Sequence, residues 1–288
     1  DFLQLRRISW NTASGALLEK FMAYEAVHPV ESWEDLKDRL DHDRRYFAFF
    51  HPRMPEEPLI FVEVALVRGI AGNIQVLLDP SAPAGDPQDA DTAVFYSISN
   101  AQLGLAGISF GGFLIKRVVD ELAAELPHLK SFVTLSPIPS FRDWFDRSLT
   151  QPADVFLPAE IKRFQPWAEE DPRDWIGEVL RESAWQVDEE MEEALRPALL
   201  RVAARYLTEE KRARGGALDP VAHFHLSNGA KIERLNWAAD VSPRGLAQSE
   251  GMMVNYRYDP KRIEGNHEAY KGRGEIAISS SVRSVLKG

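Results

Sequence analysis

One stretch restricts the possible folds more than any other. Between Thr92 and Leu135 the chain runs strand, glycine-bearing loop, helix, strand. Thr92 to Ser99 (TAVFYSIS) is rich in aromatic and β-branched side chains and reads as a strand. Leu103 to Gly112 (LGLAGISFGG) is the loop. Beyond it Ile115, Val118, Val119, Leu122 and Leu126 fall on one helical face, and Pro127 stops that helix. Leu129 to Leu135 (LKSFVTL) is a strand again and ends at Ser136-Pro137-Ile138-Pro139. A helix between two strands needs a sheet on which to bury its stripe, so the order points to an α/β fold.

The remaining segments fit around this unit. Residues 1–45 read as helical and mixed, with Trp33, Leu36 and Leu40 spaced along one helix face. Pro58 to Val67 (PLIFVEVALV) is a strand. Residues 79–92 hold prolines, a glycine and acids and read as a surface loop. Residues 141–212 read as helical throughout, and the charge run from Asp188 to Glu193 as a solvated face. Residues 220–237 read as short strand-like pieces about a hairpin turn at Asn228-Gly229. Met252 to Tyr258 reads as a strand and Ser279 to Leu286 as a short helix.

The glycine loop has three readings. It can be a tight turn with no ligand. It can be an anion site, because helix N-termini offer unpaired N–H groups and glycine allows close approach; Lys116 and Arg117 would add charge. Or Gly107-Ile108-Ser109-Phe110-Gly111 can be the G-x-S-x-G elbow of a serine hydrolase, with Ser109 as nucleophile and Asp219 or Asp240 with His225 completing a triad. Against the third, strand 92–99 ends well before Gly107, and Asp219 precedes His225 by only six positions.

Among seven histidines, His223 and His225 form H-x-H, which on a strand would place both side chains on one face. A third ligand cluster is missing from the sequence, so no metal site is expected. A general acid–base role for one of the two is the better reading. Ser136 stands where an apolar strand ends, the edge at which α/β sites gather, although it could equally start a turn. Asn236 and Tyr256 could line the pocket, although structural roles as buried polar residues are at least as good a reading.

Composition excludes some classes. With no cysteine, disulfides, thiolate metal sites and a cysteine nucleophile are ruled out. A net charge of -10 at pH 7 argues against nucleic-acid binding. No apolar run of about 18 residues or basic-then-apolar leader occurs, so neither a membrane span nor a secretion signal is expected. The closing Leu-Lys-Gly is not a peroxisomal address, and a bacterial cytoplasm is the default expectation.

Taken together, Glu25 to Val30 (EAVHPV), Thr92 to Ser99, Phe113 to Val119 (FLIKRVV), Leu135 to Pro139 (LSPIP), Asp219 to Asn228 (DPVAHFHLSN) and Leu235 to Tyr258 closely resemble malonyl-CoA decarboxylases. The resemblance runs nearly end to end and is vaguest over 145–210. It implies one catalytic domain over 1–288, GNAT acetyltransferase-like, with a central mixed sheet flanked by helices and a helical insertion at about 141–212. It implies that Ala106, Gly107, Ile108, Ser109, Phe110, Gly111 and Gly112 form the loop that binds coenzyme A. Ala106 and Ser109 depart from the superfamily's Gln/Arg-x-x-Gly-x-Gly/Ala pattern, which leaves backbone rather than side-chain phosphate contacts. It implies Ser136 and His225 as the catalytic pair, malonyl-CoA as substrate, acetyl-CoA as product, and no metal, biotin or pyridoxal cofactor. The family also carries an N-terminal helical domain that assembles a homo-oligomer, a tetramer. That domain is not in this sequence, and the missing initial methionine suggests a trimmed chain.

Overall fold

The computed structural model describes residues 3–102, 111–150, 155–168, 171–213 and 215–288. The chain divides into two compact units, Asp1–Ser136 with Arg257–Ile263, and Pro137–Tyr256 with Glu264–Gly288.

The first unit is built on a sheet. β1 (Gln4–Ile8) is followed by α1 (Gly15–Tyr24) and α2 (Trp33–Asp38), then β2 (Arg44–His51), β3 (Met54–Val67), the short α3 (Ile74–Leu77) and β4 (Thr92–Asn100). The four strands pair antiparallel in chain order. α4 (Gly111–Glu125) then carries the chain to β5 (Ser131–Thr134), which lies parallel to β4. The sheet is therefore mixed, and α4 is the crossover that a parallel pair requires. Ile115, Val118, Val119 and Leu122 are all buried, as their spacing predicts. Arg257 pairs antiparallel with Val133 on the far side of β5.

Residues 1–45 are less helical than their composition suggests. They contain β1 and the start of β2, and of the proposed helix face Leu36 is buried while Trp33 is exposed. α1 starts where Ser14 accepts from the Leu17 N–H at 3.2 Å, and it buries Leu17, Leu18 and Phe21. The Phe21, Tyr46 and Phe61 rings meet at centroid distances of 4.8 to 5.5 Å. Each such buried ring contributes roughly 1.5–3 kcal/mol.

The chain leaves the first unit at β6, the two residues Ser136–Pro137. The helices expected at 141–212 are α5 (Phe141–Leu149), α6 (Pro158–Phe164), α7 (Pro172–Glu182) and α8 (Glu189–Glu209). They close on an aromatic core in which Phe141 stacks on Phe145 at 5.6 Å and Trp144 meets Tyr206 at 4.9 Å. The buried Arg201 on α8 donates to both Glu160 oxygens on α6, at 2.7 and 2.6 Å. The acids from Asp188 onward cap and open α8, and stay at its partly or fully exposed start.

Then come α9 (Pro220–Ser227), β7 (Lys231–Asn236), α10 (Pro243–Ser249), β8 (Met253–Arg257), α11 (Ile263–Arg273) and α12 (Ser280–Val285). β7 pairs with β8. Here the structure corrects the strand-like reading of 220–237, because its first half is a helix. Asp219 accepts from the Val221 and Ala222 N–H groups at 2.9 Å, and Pro220 takes the first helical position. Asn228 caps the other end and Gly229 follows at φ +80°, so the Asn-Gly pair stops a helix rather than turning a hairpin. No helix among the described residues is long and apolar enough to cross a membrane.

Candidate functional site

Ser136 stands just beyond the C-terminal end of β5 and is 6% exposed. Leu135 continues the ladder, its N–H donating to the Phe95 carbonyl at 2.9 Å. Period-two alternation puts Thr134 and Ser136 on one side of the chain. The Ser136 hydroxyl donates to Thr134 Oγ1 at 2.8 Å, so a buried nucleophile-type oxygen is oriented by a neighbouring hydroxyl.

His225 belongs to the second unit, in the last turn of α9, and is 3% exposed. Its carbonyl accepts from both the Asn228 and Ala230 N–H groups at 3.1 Å, which fixes the backbone that carries it. One face of the ring lies on Tyr256, centroids 4.6 Å apart and planes 21° from parallel. Phe224 meets it edge-on at 5.0 Å. Burial pushes its pKa down to about 3, so the imidazole is neutral at pH 7.

His223 does not share that face. Two residues of α-helix turn through about 200°, so the helix separates side chains that a strand would have aligned. His223 Nδ1 lies 2.7 Å from the Tyr270 hydroxyl, which also accepts from the Ala217 N–H at 2.7 Å. No group of three or more His, Asp or Glu side chains among the described residues is placed to hold a metal ion.

β7 and β8 hold Tyr256 in register. Asn236 donates to Asn255 Oδ1 at 2.9 Å and to the Met253 carbonyl at 3.4 Å, and Arg234 reaches the same Asn255 oxygen at 3.2 Å.

Of the glycine loop, Ala106, Gly107, Ile108, Ser109 and Phe110 lie outside the described residues; Gly111 and Gly112 open α4. The Arg117 guanidinium donates to the Leu3 carbonyl at 3.0 Å and lies over the Phe49 ring. Asp219, the acid available to a Ser109 triad, is engaged by the N–H groups of Val221 and Ala222 and by Ser140 at 3.4 Å.

A second buried polar cluster went unread in the sequence. Glu25 accepts from the Val27 and His28 N–H groups at 2.7 and 2.9 Å and from the Ser97 and Ser99 hydroxyls at 2.8 and 3.2 Å. Glu63 is fully buried beside it on β3. Arg39 donates to Asp35 at 2.8 and 3.0 Å and to the His28 and Pro29 carbonyls at 2.8 and 3.0 Å, and it lies 3.5 Å from Glu63. A depression of about 550 Å³ lies at the opposite ends of these strands, lined by Asp43, Arg44, Arg68 and Asp89 among others. In it Arg44 pairs with Asp43 at 2.7 Å and Arg68 with Asp89 at 2.8 Å, and it includes neither Ser136 nor Glu25.

Mitochondrial malonyl-CoA decarboxylase from Anser anser anser is 42% identical over 293 residues, covering 99% of this chain and 58% of the relative. The Rattus norvegicus protein of the same name is 40% identical, covering 99% and 59%. The chain thus spans somewhat under three fifths of the length of the curated relatives it matches. The crystal structure of malonyl-CoA decarboxylase from Rhodopseudomonas palustris superposes with a TM-score of 0.89 at 47% identity, covering 100% of this chain and 66% of that one. The Agrobacterium vitis structure gives 0.89 at 46%, covering 99% and 67%. The loading GNATL domain of CurA from Lyngbya majuscula, 13% identical with a TM-score of 0.52 over 91% of this chain and 99% of that one, shares the fold alone and marks it as GNAT-like. Residues 1–288 match the malonyl-CoA decarboxylase C-terminal domain along their whole length, and the chain belongs to that family.

Proposed function

We propose that this chain converts malonyl-CoA to acetyl-CoA and CO2, with Ser136 and His225 as the catalytic pair. The observation that carries the reading is the family match over all of residues 1–288. The chemistry of the two side chains supports it.

Decarboxylation breaks the bond between the carboxylate and the α-carbon. The electron pair moves into the thioester as an enolate, and one proton then adds to the α-carbon. Because the thioester is the electron sink, the reaction calls for no metal, biotin or pyridoxal. It calls for donors aimed at the enolate oxygen, each contributing on the order of 3–4 kcal/mol. A neutral imidazole suits this task, since it presents an N–H without a competing surplus charge. As negative charge builds on the oxygen, His225 gains affinity for a proton. It takes one from water, which leaves hydroxide to combine with the departing CO2, and the imidazolium delivers that proton to the α-carbon and returns to the neutral ring. Ser136 is assigned to the malonyl carboxylate or thioester oxygen. A hydroxyl there binds without the strong ground-state stabilisation that a salt bridge would impose on a carboxylate that must leave. The loop Ala106–Gly112, at the N-terminal end of α4, is assigned to the coenzyme A phosphates and pantetheine through backbone N–H groups.

The test is turnover of malonyl-CoA by the purified chain, following acetyl-CoA and CO2, beside Ser136→Ala and His225→Ala. Each variant should lose at least ~100-fold, the scale of acid–base residues. Release of free CoA and malonate, abolished by Ser109→Ala, would replace this reading with the hydrolase.

A further inference from the structure

The ring contact of His225 leads one step further. In the α9 helix two hydrogen bonds to its carbonyl fix the His225 backbone, and these bonds do not themselves set the ring torsion. The last torsion of histidine is broad and roughly two-fold, so helix geometry alone leaves the ring plane loose. Ring contacts restrain it, among them the edge of Phe224, its chain neighbour, and the face of Tyr256, which comes from β8. Tyr256 is itself fully buried, and the residue before it is tied by Asn236 and Arg234 on β7.

We infer that Tyr256 is a positioning residue for His225: its ring face fixes the imidazole plane, so that the two ring nitrogens are offered only along their in-plane directions. This rests on the proposed role of His225. A stacked ring covers the imidazole's face and leaves its edge, where both nitrogens lie, free of the stack. The same aromatic face favours the imidazolium that forms if His225 takes up a proton during turnover. The restraint resides in the ring rather than in the phenol hydroxyl, so phenylalanine should preserve it and leucine should not.

The experiment compares the parent, Tyr256→Leu, Tyr256→Phe and His225→Gln. Steady-state kinetics with malonyl-CoA are read together with the nitrogen and carbon NMR signals of the His225 ring, assigned by their loss in His225→Gln. Misplacing a reacting group by about 1 Å costs roughly 100-fold. Tyr256→Leu should therefore lower kcat by about 30- to 100-fold with KM changed less than about 3-fold, and its His225 ring signals should broaden. Tyr256→Phe should recover kcat to within about 3-fold of the parent, with sharp ring signals. A Tyr256→Leu chain that keeps its kcat and its sharp signals overturns the inference. So does a Tyr256→Phe chain as slow as Tyr256→Leu, which would move the role to the hydroxyl. If the parent does not turn over malonyl-CoA, the proposed function fails, and the NMR comparison alone still decides whether Tyr256 orders the ring.

Discussion

Replacing Glu63 by glutamine should alter how the stability of the first unit depends on pH. Glu63 has no exposure and sits opposite Ser97, where a register shift between β3 and β4 places Tyr96 and Ser97 against it. The groups facing it are Arg39, Glu25, Tyr96 and Tyr46, with Asp35 behind Arg39. Burial, then the Glu25 carboxylate, hold the Glu63 carboxyl well above the ordinary carboxylate range. Arg39 pulls the other way but less strongly: at 3.5 Å it is the longer contact, and its charge is already met by Asp35. Burial works against the charge of Arg39 too, yet its acidic neighbours, Asp35 by hydrogen bond and charge, outweigh it and keep the guanidinium protonated.

The folded chain therefore keeps a proton on Glu63 that the unfolded chain sheds near pH 4.5. A folded state that binds the extra proton loses stability as pH rises, starting near the unfolded value and continuing up to the raised folded one. One proton corresponds to about 1.4 kcal/mol per pH unit across that window. Glutamine matches the shape of the neutral acid and cannot ionise. Glu63→Gln should thus lie within about 1 kcal/mol of the parent near pH 4.5 and gain on it by about 1.4 kcal/mol per pH unit above that. The gap should stop widening once pH passes the raised folded value. Native-state hydrogen exchange of β3 amides, corrected for intrinsic rates, reports the opening free energy of this unit at each pH. A gap that stays constant with pH, or that closes as pH rises, refutes the reasoning: Glu63 would then be ionised and paired with Arg39.

Two further outcomes follow from buried titratable groups in the second unit. If His225 enters the reaction neutral with a pKa of about 3, kcat/KM should stay level across its usual range near pH 6.5 and fall only as acid protonates the ring; a decline with rising pH through 6.5 would show that the imidazolium is the active form. Arg201→Met strands the buried Glu160 carboxylate and should cost about 3–5 kcal/mol in denaturant unfolding, whereas adding Glu160→Leu should restore most of that loss; equal damage in the single and double variants would show that the Arg201 stem, not the charge, is what matters.

The elements legible in the sequence were those whose pattern has one explanation. The stripe from Ile115 to Leu126 has a helical period, and all of it is buried. β2 went unread because Tyr46 to Phe50 are buried without alternation. A strand covered on both faces shows a continuous apolar run, which periodicity cannot separate from a helix. In 220–227 the alternation of Ala222, Phe224 and Leu226 with two histidines imitated a strand. The cap signals were nonetheless present: Asp219-Pro220 is a helix start, and Asn-Gly is as good a helix stop as a hairpin turn. Ser136 and His225 were named through resemblance rather than local pattern. Tyr256 comes to His225 from 31 positions further along, a contact that only folding reveals. Glu63 did leave a trace, as the lone charge inside LIFVEVALV, where a solvent-facing strand position would have polar neighbours two residues away.

Glu63 and His225 are opposite cases of one rule. Burial raises the acid and lowers the base, so each is shifted toward its neutral form, and in each the largest influence is loss of water. The difference lies in their neighbours. Glu63 has Arg39 and Glu25 beside it, and these two tie the chain after α1, α2 and the sheet together. His225 is moved by burial and has aromatic rings against its face and edge. A neutral ring in such a setting responds strongly to a new charge, because little water screens it. The enolate of the proposed reaction is a charge that appears only in the course of the reaction. A histidine kept neutral beforehand and held in plane by Tyr256 would bind that charge more strongly than it binds the substrate, and that difference is what accelerates a reaction.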